Sequence, residues 1–176
     1  MRIVQAGFTF IELTVATAVL GILASIALGP FAGMIEHHRA TAAVESLQSH
    51  MALARTAAIT YNRSAVLCPS RDGRTCTNDT DWSGGWLLFI DQNRNRQPDP
   101  GDEILRTDLR TDAGSLRIAS SGGRRQLRYH ADGSSAGTNL TISICGHSGH
   151  LLDQVIVNNI GRPRSQRPRT PTACPV

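Results

Sequence analysis

The sequence predicts an α+β fold: one long N-terminal α-helix packed on a small antiparallel β-sheet head. Three observations predict it. An apolar run from Phe8 to Ala32 leads into residues that repeat at helical spacing. Beyond Tyr61 the pattern changes to short runs of β-formers bounded by Gly, Asp, Asn and Ser. All four cysteines, Cys68, Cys76, Cys145 and Cys174, lie in that second part.

The helix is read first. Residues 1–7 form a short polar leader with one positive charge, Arg2, ending in Gly7. Phe8–Leu28 taken as one helix is about 31 Å long at 1.5 Å per residue, which matches a hydrocarbon core of ~30 Å. Residues 8–32 are therefore read as a transmembrane segment. A secretory signal places its small-residue cleavage site after the apolar stretch; here the candidate cut precedes it, so the segment stays with the mature chain. Glu12 is the single acid in this run, and a carboxylate in hydrocarbon is costly enough to mark a functional position. Gly29-Pro30 predicts a kink, because proline removes a backbone donor and clashes with the preceding turn. Residues 33–62 continue as an amphipathic helix. Val44, Leu47, Met51, Ala54 and Ala58 recur every three or four residues as one apolar stripe, while Glu36, Arg39, Glu45 and Arg55 fall away from it. Asn62 marks the end, and His37 and His38 read as solvated helix residues.

Residues 63–160 form the β-rich head. Strands are predicted at Arg63–Cys68, Trp86–Ile90, Ser115–Ala119, Gln126–His130, Leu140–Cys145 and Gln154–Asn158, with turns at Gly84-Gly85, Gly122-Gly123 and Asp132-Gly133. They suit an antiparallel sheet, or two small sheets, resting on the second half of the helix. Trp82 and Trp86 read as core aromatics. Residues 161–176 hold four arginines, four prolines and no acid, and read as an extended tail.

The formal charge of the full chain is +4, and all 18 basic residues are arginine. Composition alone explains much of that, but arginine also offers a planar donor fork suited to phosphate. An even cysteine count in an exported domain implies disulfides in an oxidising compartment. Of the three possible pairings, Cys68–Cys76 with Cys145–Cys174 is favoured because each joins neighbours along the chain. No CxxC or Cys/His pair has zinc-site spacing. Asp91, Asn93, Asn95, Gln97, Asp99 and Asp102 alternate like a calcium loop at positions 1, 3, 5, 7, 9 and 12. However, Arg96 stands at the sixth position where glycine is needed, Asp102 replaces glutamate at the twelfth, and two arginines oppose a dication. A polar hairpin loop held by Asx turns is the preferred reading, and no metal or cofactor is assigned. No nucleophile elbow, phosphate loop or zinc signature accompanies the Ser, His and Asp residues, so no catalytic role is assigned either.

In the tail, arginines two residues apart on an extended chain point to one side, about 6–7 Å per step. Proline keeps such a chain extended and lowers the entropy lost on binding. Arg162, Arg164, Arg167 and Arg169 thus form a comb able to track phosphates, and a Cys145–Cys174 bridge ties its far end down. Arg124, Arg125 and Arg128 are further candidates for the same face.

Two stretches carry a resemblance. Gly7-Phe8-Thr9-Phe10-Ile11-Glu12-Leu13 resembles the N-terminus of type IV pilins and of type II secretion pseudopilins. The resemblance implies a pilin-like fold, cleavage by a prepilin peptidase between Gly7 and Phe8, and N-methylation of Phe8. It also implies that Glu12 pairs with the α-amine of a neighbouring subunit. The run from Cys68 through Trp82, Trp86 and Asp91 to Asn95 looks like the GspH/FimT branch of minor pilins. Gly161-Arg162-Pro163-Arg164 looks like the GRxR motif of DNA-binding FimT-type minor pilins, which act in DNA uptake during natural transformation. The expected partners are double-stranded DNA, bound without sequence preference, other pilin subunits, the prepilin peptidase and the inner membrane. The expected location is the inner membrane with a periplasmic head, then a pilus at the cell surface. The alternative is a purely structural pilin or pseudopilin for filament or secretion-system assembly; adhesion to acidic polymers is a weaker third.

Overall fold

The structure, a computed structural model, describes residues 7–110, 115–135 and 137–175, with residues 26–32 described in their backbone alone. The leader call for residues 1–7 falls outside these residues except at Gly7. The chain divides into two compact units, Met1–Ile35 and Glu36–Val176.

One helix, α1 (Phe10–Tyr61), carries 52 residues through both units, and its assignment has no gap at Gly29-Pro30. Thr9 caps its start: Glu12 N donates to Thr9 O at 3.1 Å and to Thr9 Oγ1 at 3.3 Å, which satisfies one of the free donors of a first turn. In the first unit the large apolar side chains that are described, Phe10 to Leu23, are exposed. Among the described residues no helix is long and apolar enough to cross a membrane. The described apolar part, Phe10–Ser25, reaches only about 24 Å at 1.5 Å per residue. The side chains of residues 26–32, which complete the stretch read as transmembrane, lie outside the described residues. At its other end α1 stops on Asn62, left-handed at φ 50°. Arg63 N donates to Ala58 O at 3.1 Å and Asn62 N to Ile59 O at 3.2 Å. That crossed pair is the Schellman arrangement, and asparagine tolerates the left-handed backbone it requires.

Among its described residues the second unit holds eight strands: β1 (Ser64–Pro69), β2 (Gly85–Asp91), β3 (Glu103–Leu109), β4 (Arg117–Ser120), β5 (Leu127–Tyr129), β6 (Leu140–Cys145), β7 (Leu151–Val157) and β8 (Pro163–Gln166). They form two four-stranded sheets, β3-β2-β1-β5 and β4-β6-β7-β8, antiparallel at every pairing. The α1 stripe Val44, Leu47, Met51, Ala54 and Ala58 is buried, joined by Ala40, Ala43 and Ala57, and it shares one core with residues of both sheets. The α+β fold, an N-terminal helix packed on antiparallel sheets, is thus the one expected from the sequence. Burying side chains such as Leu47 and Met51 contributes roughly 1.5–3 kcal/mol each.

β1 and β2 are buried on both faces, and their period-two alternation divides them between two clusters. Ala65, Leu67, Trp86, Leu88 and Ile90 face the main core. Val66, Cys68, Leu87 and Phe89 form a smaller cluster with Cys76, beneath the loop closed by the Cys68–Cys76 disulfide. Trp82 and Trp86 are both in the main core. Two strands lie where none was predicted. β3 is mostly exposed and its Glu103, Arg106 and Asp108 read as loop; as an edge strand it tolerates charge, which also blunts edge-to-edge association. β8 takes Pro163–Gln166 of the tail into the second sheet, at its edge, where a proline's missing N–H is tolerated.

Candidate functional site

The basic tail begins at a turn that only glycine fits. Gly161 is buried with φ +80°; a Cβ there would lie 2.5 Å from Gly133 O and 2.8 Å from Tyr129 Cε1. Tyr129 is buried, its hydroxyl donates to Gly161 O at 3.2 Å, and burial pushes the phenol up to about 12, against the lowering effect of Arg55 and Arg124. Asn158 closes the turn: its carbonyl accepts from Gly161 N at 2.9 Å and its Oδ1 from Arg162 N at 3.1 Å. The chain therefore enters β8 in a set direction.

Register then decides where each arginine points. Val155 and Val157 are buried and stand opposite Ser165 and Pro163, whereas Ile156 stands opposite Arg164 and Gln154 opposite Gln166. Directly opposed residues share a face, so Arg164, and by alternation Arg162, lie on the outer face of the sheet. Both are exposed, and among the described residues no acid pairs with either; Arg164 Nη1 is 3.4 Å from Gln166 Oε1. Arg167 has the opposite parity and, although its side chain is more than half exposed, reaches toward the helix side of the sheet. Its Nε lies 3.3 Å from Oδ2 of buried Asp153, and its Nη2 lies 3.3 Å from Thr41 Oγ1 on α1. Of the expected four-arginine comb, Arg167 is the member that lies beside an acid: it stands three positions beyond Arg164, and an odd step on an extended chain reverses the face. Arg169 lies beyond β8 and is exposed.

The tail's far end is fastened back onto the turn between β6 and β7. Leu151 N donates to Thr172 O and Cys174 N to Gly149 O, both at 2.9 Å, His150 and Ala173 form a β-bridge, and Cys145 is disulfide-bonded to Cys174 with Cα atoms 5.8 Å apart. Arg162–Arg169 is thus a segment held at both ends.

Arg124, Arg125 and Arg128 lie elsewhere. Arg124 donates to Thr138 O and Ser135 Oγ at 2.8 Å and to Gln126 O at 3.2 Å; burial first, with Arg128 as a nearby like charge, lowers its pKa below the usual guanidinium range, while Tyr129 opposes the shift. Arg125 donates to Asn78 O at 2.8 Å. With Arg96 and Arg128 they line an open polar cavity of about 570 Å³ to which no tail residue contributes. The structure does not bring them onto the tail's strand, and Arg124 is occupied in holding loops together.

At the other end of the chain, Gly7 and Phe8 are exposed ahead of the helix, and Glu12 lies exposed in its first turn. A carboxylate there complements the positive end of the helix dipole while remaining open to a neighbouring subunit. The β2–β3 loop has the Asx turns expected of it: Asn95 N donates to Asn93 Oδ1 at 3.1 Å and Gln97 N to Asn95 Oδ1 at 2.8 Å. Among the described residues no cluster of three or more His, Cys, Asp or Glu side chains forms a metal site.

Sequence reasoning missed the parts that seat the tail, namely Tyr129, Asn158, Asp153 and Thr41. Thr41 lies 126 residues from its partner Arg167, so nothing local announces the contact.

The family model described as type II transport protein GspH matches residues 43–161, and a prokaryotic N-terminal methylation motif matches residues 2–28. A pilin-like protein, PilA1, of Thermus thermophilus is 29% identical over 166 residues, covering 91% of this chain and 97% of that one. The type IV minor pilin FimU of Pseudomonas aeruginosa has the same fold in one crystal form at a TM-score of 0.58 and 19% identity, over 82% of this chain and 99% of its own. The minor pseudopilin EpsH from the type 2 secretion system of Vibrio cholerae follows at 0.51 and 15%, over 74% and 98%. The family match stops at Gly161, one residue before the first tail arginine.

Proposed function

This chain belongs to the type II transport protein GspH family, and from that premise we propose that it is a minor type IV pilin that binds double-stranded DNA through its C-terminal arginines. The coarser role follows from the family and the methylation motif: a minor pilin or pseudopilin, a membrane-anchored filament component that associates with other pilin subunits and is processed by a prepilin peptidase. In the proposal the peptidase cuts between Gly7 and Phe8, the amine of Phe8 is methylated, and Glu12 pairs with that amine on the next subunit, which removes two charges from an apolar filament core and sets its register. The subunit starts in the inner membrane with its head in the periplasm and ends in a pilus at the cell surface, where it serves DNA uptake during natural transformation.

One observation carries the DNA reading: Arg162 and Arg164 stand unpaired with acid on the outer face of an edge strand whose start and continuation are both fastened. A backbone already held in place leaves only the side-chain rotamers to be ordered on meeting phosphates, and with no base-reading element the affinity is electrostatic and independent of sequence. Arg169 adds a third free charge; Arg167 is held by Asp153. Three phosphate contacts give a slope of log K against log salt of about −2.7, so affinity falls about 40-fold between 50 and 200 mM salt. A single head binds weakly, and several along one filament gain by avidity.

The test is a titration of the oxidised unit 36–176, whose core lies wholly within it, against random double-stranded DNA at several salt concentrations. Arg162→Ala with Arg164→Ala is expected to abolish most binding and to reduce the slope by about 1.8, with an unchanged circular dichroism spectrum. Equal binding by the variant, or none by the parent at low salt, removes the DNA role. The second reading, a structural pilin or pseudopilin without DNA binding, is favoured by the family match ending before Arg162, and it is what remains in that event.

A further inference from the structure

We propose that the loop joining β2 to β3, Asp91–Asp102, is a calcium site. The observation that reverses the preference for a plain hairpin loop is at Asp91. Its side chain is buried, 1% exposed, and turned into the loop, since Oδ2 accepts from Arg96 N at 3.2 Å. Its other oxygen, Oδ1, is buried with no hydrogen-bond partner. Trp82 Nε1 and Ser120 Oγ share that condition, but they are neutral groups; Asp91 is a carboxylate. Buried carboxylate oxygens are nearly always satisfied by donors or cations, and among the described residues no ion pair reaches Asp91, although Arg63, Arg94 and Arg128 line a cavity with it.

The groups around it are hard oxygen donors at the spacing a calcium loop uses. Asn93 and Asn95 converge on Asp99: the Nδ2 atoms of both donate to Asp99 Oδ2 at 2.6 Å. Calcium binding requires both amides to turn over, which brings their oxygens to that point and releases the Asx-turn contacts of Oδ1. The objection raised by Arg96 at the sixth position is met by the backbone, for Arg96 adopts the left-handed φ of 66° that glycine would supply, as does Arg94. Asp102 is committed to the loop itself, its two oxygens accepting from Gln92 N and Asp99 N at 3.0 Å. The ligand set is therefore Asp91 Oδ1, the side-chain oxygens of Asn93 and Asn95, the Gln97 carbonyl and Asp99: two carboxylates, two amides and a carbonyl. It contains too few carboxylates to register as an acidic cluster. All-oxygen donors select calcium or magnesium over zinc or copper, and an irregular flexible set favours the larger ion. With the twelfth-position ligand withdrawn, affinity falls to the range of extracellular modules, a Kd on the order of 0.1–1 mM, suited to a head displayed outside the cytoplasm.

The experiment uses the full chain in detergent, stripped of divalent ions with a chelator, in thermal melts and isothermal titration with calcium chloride, with magnesium chloride at matched ionic strength as control. Calcium is expected to bind at one site and raise the folded-to-unfolded ratio about 11-fold at ten times Kd. Asp91→Asn and Asp99→Asn are each expected to remove the effect; Asp99 is half-exposed, so that variant decides the matter if Asp91→Asn does not fold. No calcium-dependent change up to 10 mM, an equal change with magnesium, or an undiminished response in Asp99→Asn overturns the proposal.

Discussion

Replacing Gly161 with alanine tests whether the tail is seated by backbone packing or merely drawn along the sheet. Two costs add. A Cβ at φ +80° costs about 1–2 kcal/mol in the left-handed region. It also lands 2.5 Å from Gly133 O and 2.8 Å from Tyr129 Cε1. Neither yields easily, since one is backbone and the other a ring with no exposed surface, so overpacking adds about 1–3 kcal/mol. Alanine also restricts the unfolded chain, which returns about 0.4–1 kcal/mol. The net expectation is a destabilisation of about 1–4.5 kcal/mol, or a fall of about 0.5–2 M in the urea midpoint at an m-value near 2 kcal/mol/M. Gly149 supplies the control: φ is +77°, and nothing lies within 4 Å of its Cβ, so Gly149→Ala carries the backbone cost alone and loses about 1 kcal/mol or less. Tryptophan fluorescence in urea reads both variants. Equal midpoints for the two would refute the reasoning, because the close approach to Gly133 and Tyr129 would then contribute nothing.

Other consequences follow from the same contacts. His50 accepts from Trp86 Nε1 through Nδ1 at 2.8 Å, and its pKa lies below 6.5, through burial first, with Arg106 lowering it further and Asp108 opposing. The unfolded chain then takes up the proton more readily, so stability present above about pH 6.5 is lost as pH falls through the folded pKa. His50→Gln keeps an acceptor for Trp86, and urea midpoints between pH 7.5 and 5 should then show a flatter pH dependence; an unchanged slope would assign it to other groups. Arg167→Ala leaves buried Asp153 without its charge partner and is expected to cost about 1 kcal/mol, discounted for the solvent exposure of the arginine. DNA affinity should fall less than two-fold in a salt-matched titration, well short of the Arg162→Ala, Arg164→Ala effect. Cys145→Ser with Cys174→Ser opens a loop of sequence separation 29, worth about 3–4 kcal/mol by chain entropy, to be read as a lower thermal midpoint than the oxidised parent.

Local pattern was enough for much of this molecule. The stripe Val44-Leu47-Met51-Ala54-Ala58 has helical period, and all five side chains enter the core. β1 and β2 are runs of β-formers, and both are buried throughout. Asn62 ends the helix because few other residues take its backbone conformation at so little cost. β3 escaped because an edge strand facing solvent needs no hydrophobic alternation, and Glu103–Leu109 is mostly exposed and carries Glu103, Arg106 and Asp108. The orphaned oxygen of Asp91 was invisible in a motif whose sixth and twelfth positions looked wrong.

The long helix, most of the strands, the processing motif and the concentration of arginine at the C-terminus each depend on neighbours along the chain and are legible there. That Pro163–Gln166 is a strand, and that Arg167 meets an acid while Arg162 and Arg164 do not, comes from contacts between distant segments. A strand forms where another strand leaves its hydrogen-bonding edge open, and β8 fills the edge of β7 that β6 leaves free. Which arginine meets an acid is settled by register across that edge, a property of two chain segments brought together in space and of neither one alone.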